Sequence, residues 1–159
     1  MHLDRSSLIF LDTNVLVEHL FIPTSPASAV VNYAAQDVFK IGTCQQAIKE
    51  TETIILRKLQ QTPELINTIL KRWTEALSET KFTIFPDPSE EIIKDISNQY
   101  LASMRHKADI PILAAAILAK PKIILSNNRE HFNDIVAKNC RIPIYSCAEF
   151  IHALIEAKR

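Results

Sequence analysis

Glycine is nearly missing: the 159 residues contain one, Gly42. Both the dinucleotide fingerprint and the phosphate-cradling loop need several glycines. Nucleotide binding by either device is therefore excluded. Charge of one sign is missing too. Eighteen Lys and Arg balance eighteen Asp and Glu, for a formal net charge of zero. No global basic field draws in nucleic acid; such a partner needs a local patch, or a metal between acid and phosphate. The three cysteines, Cys44, Cys140 and Cys147, are odd in number and not in metal-finger spacing. They read as reduced thiols acting as small core hydrophobes in a cytoplasmic protein. No apolar run approaches the roughly 18 residues of a membrane span. Asp4 and Arg5, ahead of a short apolar run, do not make signal-peptide architecture.

What is there is enough to build a core. Hydrophobic residues make up 47% of the chain. A length of 159 favours a single domain over residues 1–159, able to bury roughly 68–70% of the unfolded surface. Short β-forming runs at 8–11, 82–85, 122–125 and 143–145 alternate with helical periodicities. The stretch 38–42 is ambiguous between strand and turn. Helices are expected from about 15 to 20, from Pro26 to about Gln36, and over 43–60. Others follow from Thr62-Pro63 to about Glu79, from Pro88 to about Met104, from Asp109 to Ala119, and over 146–157. Asp87, Pro88 and Glu90 read as a capping box for the fifth of these. Ile66, Ile69, Leu70, Trp73 and Leu77 read as the buried stripe of the fourth. Strands alternating with helices predict an α/β fold, a three-layer α/β/α arrangement with a mainly parallel central sheet.

The organising stretch is LIFLDTNVLVEHLF, residues 8–21. A buried strand runs straight into Asp12, Thr13 and Asn14, then into an apolar-periodic helix. In open α/β sheets the carboxyl edge of the strands is where ligands bind. Asp12 and Thr13 are also good helix caps, so this stretch alone does not choose between capping and chemistry. Three further features stand at matching places. Asp109 opens a helix, IPILAAAILA, that is apolar nearly all round and so buried on most sides. The strand at 122–125 ends in Ser126-Asn127-Asn128, repeating the logic of the first. Glu50 and Glu52 flank the apolar stripe of the 43–60 helix on opposite sides, and periodicity does not choose between them.

If the two strands are neighbours, several carboxylates converge. Two carboxylates about 4 Å apart repel by on the order of 4 kcal/mol at an effective dielectric near 20. Either a proton is retained at raised pKa, or a divalent cation sits there. Oxygen ligands without His or Cys partners point to Mg²⁺ or Mn²⁺ rather than zinc.

These segments resemble the PIN-domain family of metal-dependent ribonucleases. The strand ending in Asp-Thr-Asn matches its first motif. TCQQAIKETETIILRKL supplies Glu50 at the place of the second, in preference to Glu52. ADIPILAAAIL supplies Asp109 for the third, and IILSNNREHF supplies Asn128 for the fourth. The resemblance covers residues 8 to about 150 in the family's order, with Asn128 standing where many members carry Asp. It implies an endoribonuclease that hydrolyses phosphodiester bonds, with Asp12, Glu50 and Asp109 holding Mg²⁺ or Mn²⁺ and Asn128 among the catalytic residues. Asn128 and Ser126 would bond the water or a phosphate oxygen, and Thr13 and Asn14 would fix the loop. Arg105, Lys107 and Arg129 would grip phosphate. The implied partners are an RNA substrate, an antitoxin protein of a bacterial toxin–antitoxin pair, and a second copy in a homodimer.

Two other readings compete. One is a PIN fold that binds nucleic acid or protein without cutting. The other is a haloacid-dehalogenase-like phosphatase, but that family needs a second Asp two residues after the first, where this chain has Asn14.

Overall fold

The computed structural model describes residues 1–80, 82–104 and 106–157. Five strands form one sheet: β1 (Leu8–Leu11), β2 (Lys40–Cys44), β3 (Thr83–Phe85), β4 (Ile123–Leu125) and β5 (Ile144–Tyr145). Their order is β3-β2-β1-β4-β5, and every neighbouring pair is parallel. The helices are α1 (Thr13–Phe21), α2 (Pro26–Ala35), α3 (Gln45–Gln61), α4 (Ile66–Glu79), α5 (Glu90–Tyr100), α6 (Ile110–Ala119), α7 (Asp134–Cys140) and α8 (Cys147–Glu156).

Alternation along the central strands divides the core in two. Ile9 and Leu11 of β1, with Ile123 and Leu125 of β4, pack under α1, α2, α4 and α8 around Leu16, Val30, Trp73 and Phe150. Phe10 and Ile124 point the other way, into a cluster with Tyr100, Met104, Leu113 and Phe132 from the α5–α7 side. Helix α3 straddles the edge, giving Ala47 to the second cluster and Ile48, Ile55 and Leu59 to the first. Parallel strands buried on both faces read as unbroken apolar runs. That is why β1 and β4 are legible in the sequence.

The order of the strands sets the site. From β1 the chain winds outward through β2 and β3, then returns to the other side of β1 for β4 and β5. The winding therefore reverses between β1 and β4, and a crevice opens at the carboxyl ends of those two strands. Leu11 is in register with Leu125. The residues that follow them, Asp12 and Ser126, thus stand side by side at the mouth of the crevice. The buried Thr43 hydroxyl donates to the Leu11 carbonyl at 2.6 Å, which pins the backbone just ahead of Asp12.

The structure corrects four local expectations. Thr43 and Cys44 belong to β2, so the third helix starts at Gln45. Gly42 lies inside that strand rather than ending it; a Cβ there would stand 2.8 Å from the Thr83 carbonyl oxygen, so the lone glycine permits close approach of β2 and β3. The N-cap of α5 is Ser89, whose side chain accepts from Ile92 N at 3.3 Å. Asp87 instead accepts from Gln46 N at 2.8 Å, and so supplies a cap to α3, whose own cap residue Cys44 offers none. On α4, Ile66 and Leu70 are exposed and the buried stripe is Ile69, Trp73 and Ala76.

Candidate active site

Asp12 is the first residue after β1 and the N-cap of α1. Its side chain accepts from Thr13 N at 2.7 Å, so the capping role is real. It is also a hub. Its Oδ2 accepts from Asn14 Nδ2 and from Ser126 Oγ, both at 2.7 Å. At 3% exposure the carboxylate is nearly cut off from water. Burial pushes its pKa from 3.8 up to about 6; the bonds from Ser126 and Thr13 pull it back, and the charges of Asp109 and Glu50 push it further.

Glu50 sits on α3. Its Oε2 accepts from Thr13 Oγ1 at 2.9 Å, and its Oε1 from Gln46 Nε2 at 3.1 Å, one helical turn back. The residue after Asp12 thus holds the second acid. Glu52 is exposed and lines neither cleft described below. Asn14 joins the two strand ends, accepting from Asn127 N at 2.9 Å while its amide nitrogen serves Asp12.

Asp109 closes a 3-10 turn (Lys107–Asp109) ahead of α6 and makes no side-chain cap bond. Its carboxylate instead bonds His131 Nδ1. His131 is buried, its ring centroid is 4.6 Å from that of His106, and Asn128 Nδ2 lies 2.9 Å from the same Nδ1. That nitrogen either donates to Asp109 or accepts from the Asn128 amide, so the two side chains share one ring atom and are not linked in a relay.

Asp12, Asp109 and Asn128 line one cleft of about 440 Å³, together with Arg57 and Lys58. Glu50 lines a second of about 430 Å³ with Gln46, Lys49 and Thr53. Ile54, Arg57 and Asp109 belong to both, so the two form one groove along α3. Among the described residues no three His, Cys, Asp or Glu side chains form a ready-made metal cage. The donor chemistry suits a hard divalent cation all the same: carboxylate oxygens alone, with the charge on Asp12 disfavoured first by burial and then by Asp109 and Glu50.

Other expected roles fall differently. Ser126 is fully buried and donates to Asp12, so it orients that acid and does not reach into the groove. Arg129 turns inward, donating to the Phe132 and Ile144 carbonyls at 3.0 Å each and pairing with Asp134 at 2.6 Å; it braces the fold. Lys107 is exposed and lines neither cleft, and Arg105 lies outside the described residues. The cations that do line the groove, Lys49, Arg57 and Lys58, were not singled out from the sequence, although Glu50, Ile54 and Arg57 follow the i, i+4, i+7 spacing of one helix face. His131 was missed as well; its only signal is a place three residues after Asn128. The cysteines fit their expected inert role. Burial pushes Cys44 up to about 11 and Cys147 up to about 12, and all three are free.

Comparison with known proteins bears on the family and the fold. A family model, the PIN domain, matches residues 9–138. No curated protein matches the chain by sequence. Among solved structures, the chain is similar to VapBC2 from Rickettsia felis bound to a DNA fragment from their promoter (TM-score 0.62, 14% identity, 87% of this chain and 98% of that one). It is also similar to PAE2754 from Pyrobaculum aerophilum (0.60, 10%, 96% and 91%). A third is FitAcB from Neisseria gonorrhoeae (0.51, 16%, 87% and 97%). At such identities the likeness is one of fold.

Proposed function

This chain belongs to the PIN domain family, and on that premise we propose that it is a cytoplasmic, Mg²⁺- or Mn²⁺-dependent endoribonuclease of the toxin type, one domain over residues 1–159. The observation that carries the reading is geometric. Asp12 is buried at the crevice between β1 and β4, Thr13 beside it holds Glu50, and Asp12, Glu50 and Asp109 line one groove. A fold gains nothing from crowding unneutralised carboxylates unless something positive is to be held there.

Asp12, Glu50 and Asp109 would hold the cation. A divalent ion bound there makes water more acidic and offsets the charge that builds on phosphate during attack. The protein's own part is placement. Thr13 N, Asn14 and Ser126 fix both oxygens of Asp12. Thr13 and Gln46 fix those of Glu50. His131 engages Asp109 Oδ2, which leaves Oδ1 for the groove. The Asn128 amide, lining the same cleft as Asp109, would orient water or a phosphate oxygen. The phosphatase alternative lacks its second acid: Asn14 stands at that position, and its side chain is engaged with Asp12 and Asn127.

A restraining partner of the antitoxin kind is part of the proposal, supported by the likeness to VapBC2 and FitAcB. Among the described residues no helix is long and apolar enough to cross a membrane.

The test is incubation of purified protein with single-stranded and structured RNA and with DNA, in Mg²⁺, Mn²⁺ or chelator, with melting temperature followed alongside. Metal-dependent scission of RNA supports the reading. Neither scission nor any effect of metal on melting leaves a binding fold and overturns it.

A further inference from the structure

The acids of the groove pose a problem for a polyanionic substrate. Asp12, Glu18, Glu50 and Asp109 line it, and the chain as a whole carries no net positive charge to offset them. Phosphate must be attracted locally or it will be repelled. Among the described residues the cations lining the groove come from α3: Lys49, Arg57 and Lys58. They flank Glu50 on the exposed face, opposite the buried stripe of Ile48, Ile55 and Leu59.

These three are not equally committed. Lys49 stands 3.9 Å from Asp87, a loose and exposed pair. The Lys58 ammonium lies 5.2 Å from the Phe21 ring centroid. Among the described residues Arg57 has no hydrogen bond or ion pair, yet it lines both clefts, at their junction. An exposed guanidinium beside several carboxylates, bonded to none, is free for a group from outside. From Lys49 to Arg57 the helix rises about 12 Å, enough to meet more than one phosphate of a strand. Ile54, between them, offers an apolar surface to a sugar or base.

We propose that the exposed face of α3 is a strand-binding wall, on which Lys49 and Arg57 hold successive phosphates of the nucleic acid, Arg57 being the principal contact. The inference rests on the nuclease reading for its substrate class. It adds the residues that bind the strand.

The experiment measures anisotropy of a short fluorescent single-stranded RNA against wild-type protein in chelator across a salt series. Arg57→Gln, Arg57→Lys and Lys49→Gln are measured in parallel. Lys71→Gln, at an exposed position of α4, is the control. Melting temperatures confirm that each variant is folded. Arg57→Gln is expected to weaken single-strand binding about three- to tenfold and to lower the slope of log affinity against log salt by about 0.7. Arg57→Lys should restore part of the affinity, Lys49→Gln should have a smaller effect, and Lys71→Gln none. An unchanged slope in Arg57→Gln overturns the wall. So does wild type that fails to bind. Cleavage by wild type is scored separately: cutting with an indifferent Arg57 overturns the wall and leaves the nuclease standing. Arg57-dependent binding with neither cutting nor any effect of metal on melting upholds the wall and overturns the nuclease.

Discussion

Replacing Asp12 by Asn should stabilise the protein, and only at neutral or alkaline pH. The folded state raises the Asp12 pKa from 3.8 to about 6. That is about 2 units, or about 3 kcal/mol of penalty on the ionised form. The folded protein binds this proton more tightly than the unfolded chain does. Stability from this group is therefore present in full below pH about 4, is lost as pH rises towards about 6, and stays lost above. The carboxamide carries no charge and escapes the penalty. It keeps an oxygen for Thr13 N, but its amide nitrogen faces Asn14 Nδ2, donor against donor, which costs about 1–1.5 kcal/mol. The net gain is about 1–2 kcal/mol, or roughly 3–6 °C in Tm for a chain of this length, at pH about 8. The assay is thermal unfolding by circular dichroism in chelator, across pH about 4 to 8. At the acid end the gain should vanish. A variant destabilised equally at both ends would refute the reasoning, because burial of charge would then not be what strains this site.

Further tests concern other parts of the molecule. Burial, aided by Arg72, lowers His19 to about 4, so the folded state resists its protonation and stability should fall as pH drops from 6.5 towards 4. Comparing pH–stability curves of wild type and His19→Gln should reveal this contribution, with a slope of at most about 1.4 kcal/mol per pH unit and opposite in sign to that of Asp12. Gly42→Ala should cost about 1–3 kcal/mol, because its Cβ would press on the Thr83 carbonyl and the Phe85 ring; denaturant melts check it, and a neutral result would mean that β3 yields freely. His131→Phe keeps a ring beside His106 but loses the bond to Asp109. The metal concentration for half-maximal cleavage should rise about 10- to 100-fold, and an unchanged requirement would deny His131 any part in placing Asp109.

The sequence exposes what depends on local pattern. β1 and β4 are legible because strands covered on both faces need no polar residues, and the polar clusters after them mark the crevice. Asp109 is legible because α6 is apolar all round, so that its first turn opens onto other protein elements. What stays hidden depends on tertiary neighbours. Asp87 looks like the cap of its own helix, but it serves Gln46, 41 residues back, because β3 lies beside β2 in the sheet. Thr43 and Cys44 look helical because the glycine before them reads as a strand end; only its packing against Thr83 shows that the strand runs on. Arg129 and Arg57 are both charged residues in plausible places, and nothing local tells which turns inward to brace carbonyls and which faces the groove. His131 hides for the same reason: its partner Asp109 is 22 residues away.

The central claim is that Asp12, Glu50 and Asp109 act together in metal-dependent cleavage of RNA. The most direct measurement is the initial rate of cleavage of one RNA, in Mn²⁺ and in chelator, by wild type and by Asp12→Asn, Glu50→Gln and Asp109→Asn, each shown to be folded. The account predicts cutting by wild type in Mn²⁺, none in chelator, and a loss of at least about 100-fold in each variant. Cutting that survives in chelator, or in the folded Asp12 and Asp109 variants, would contradict it.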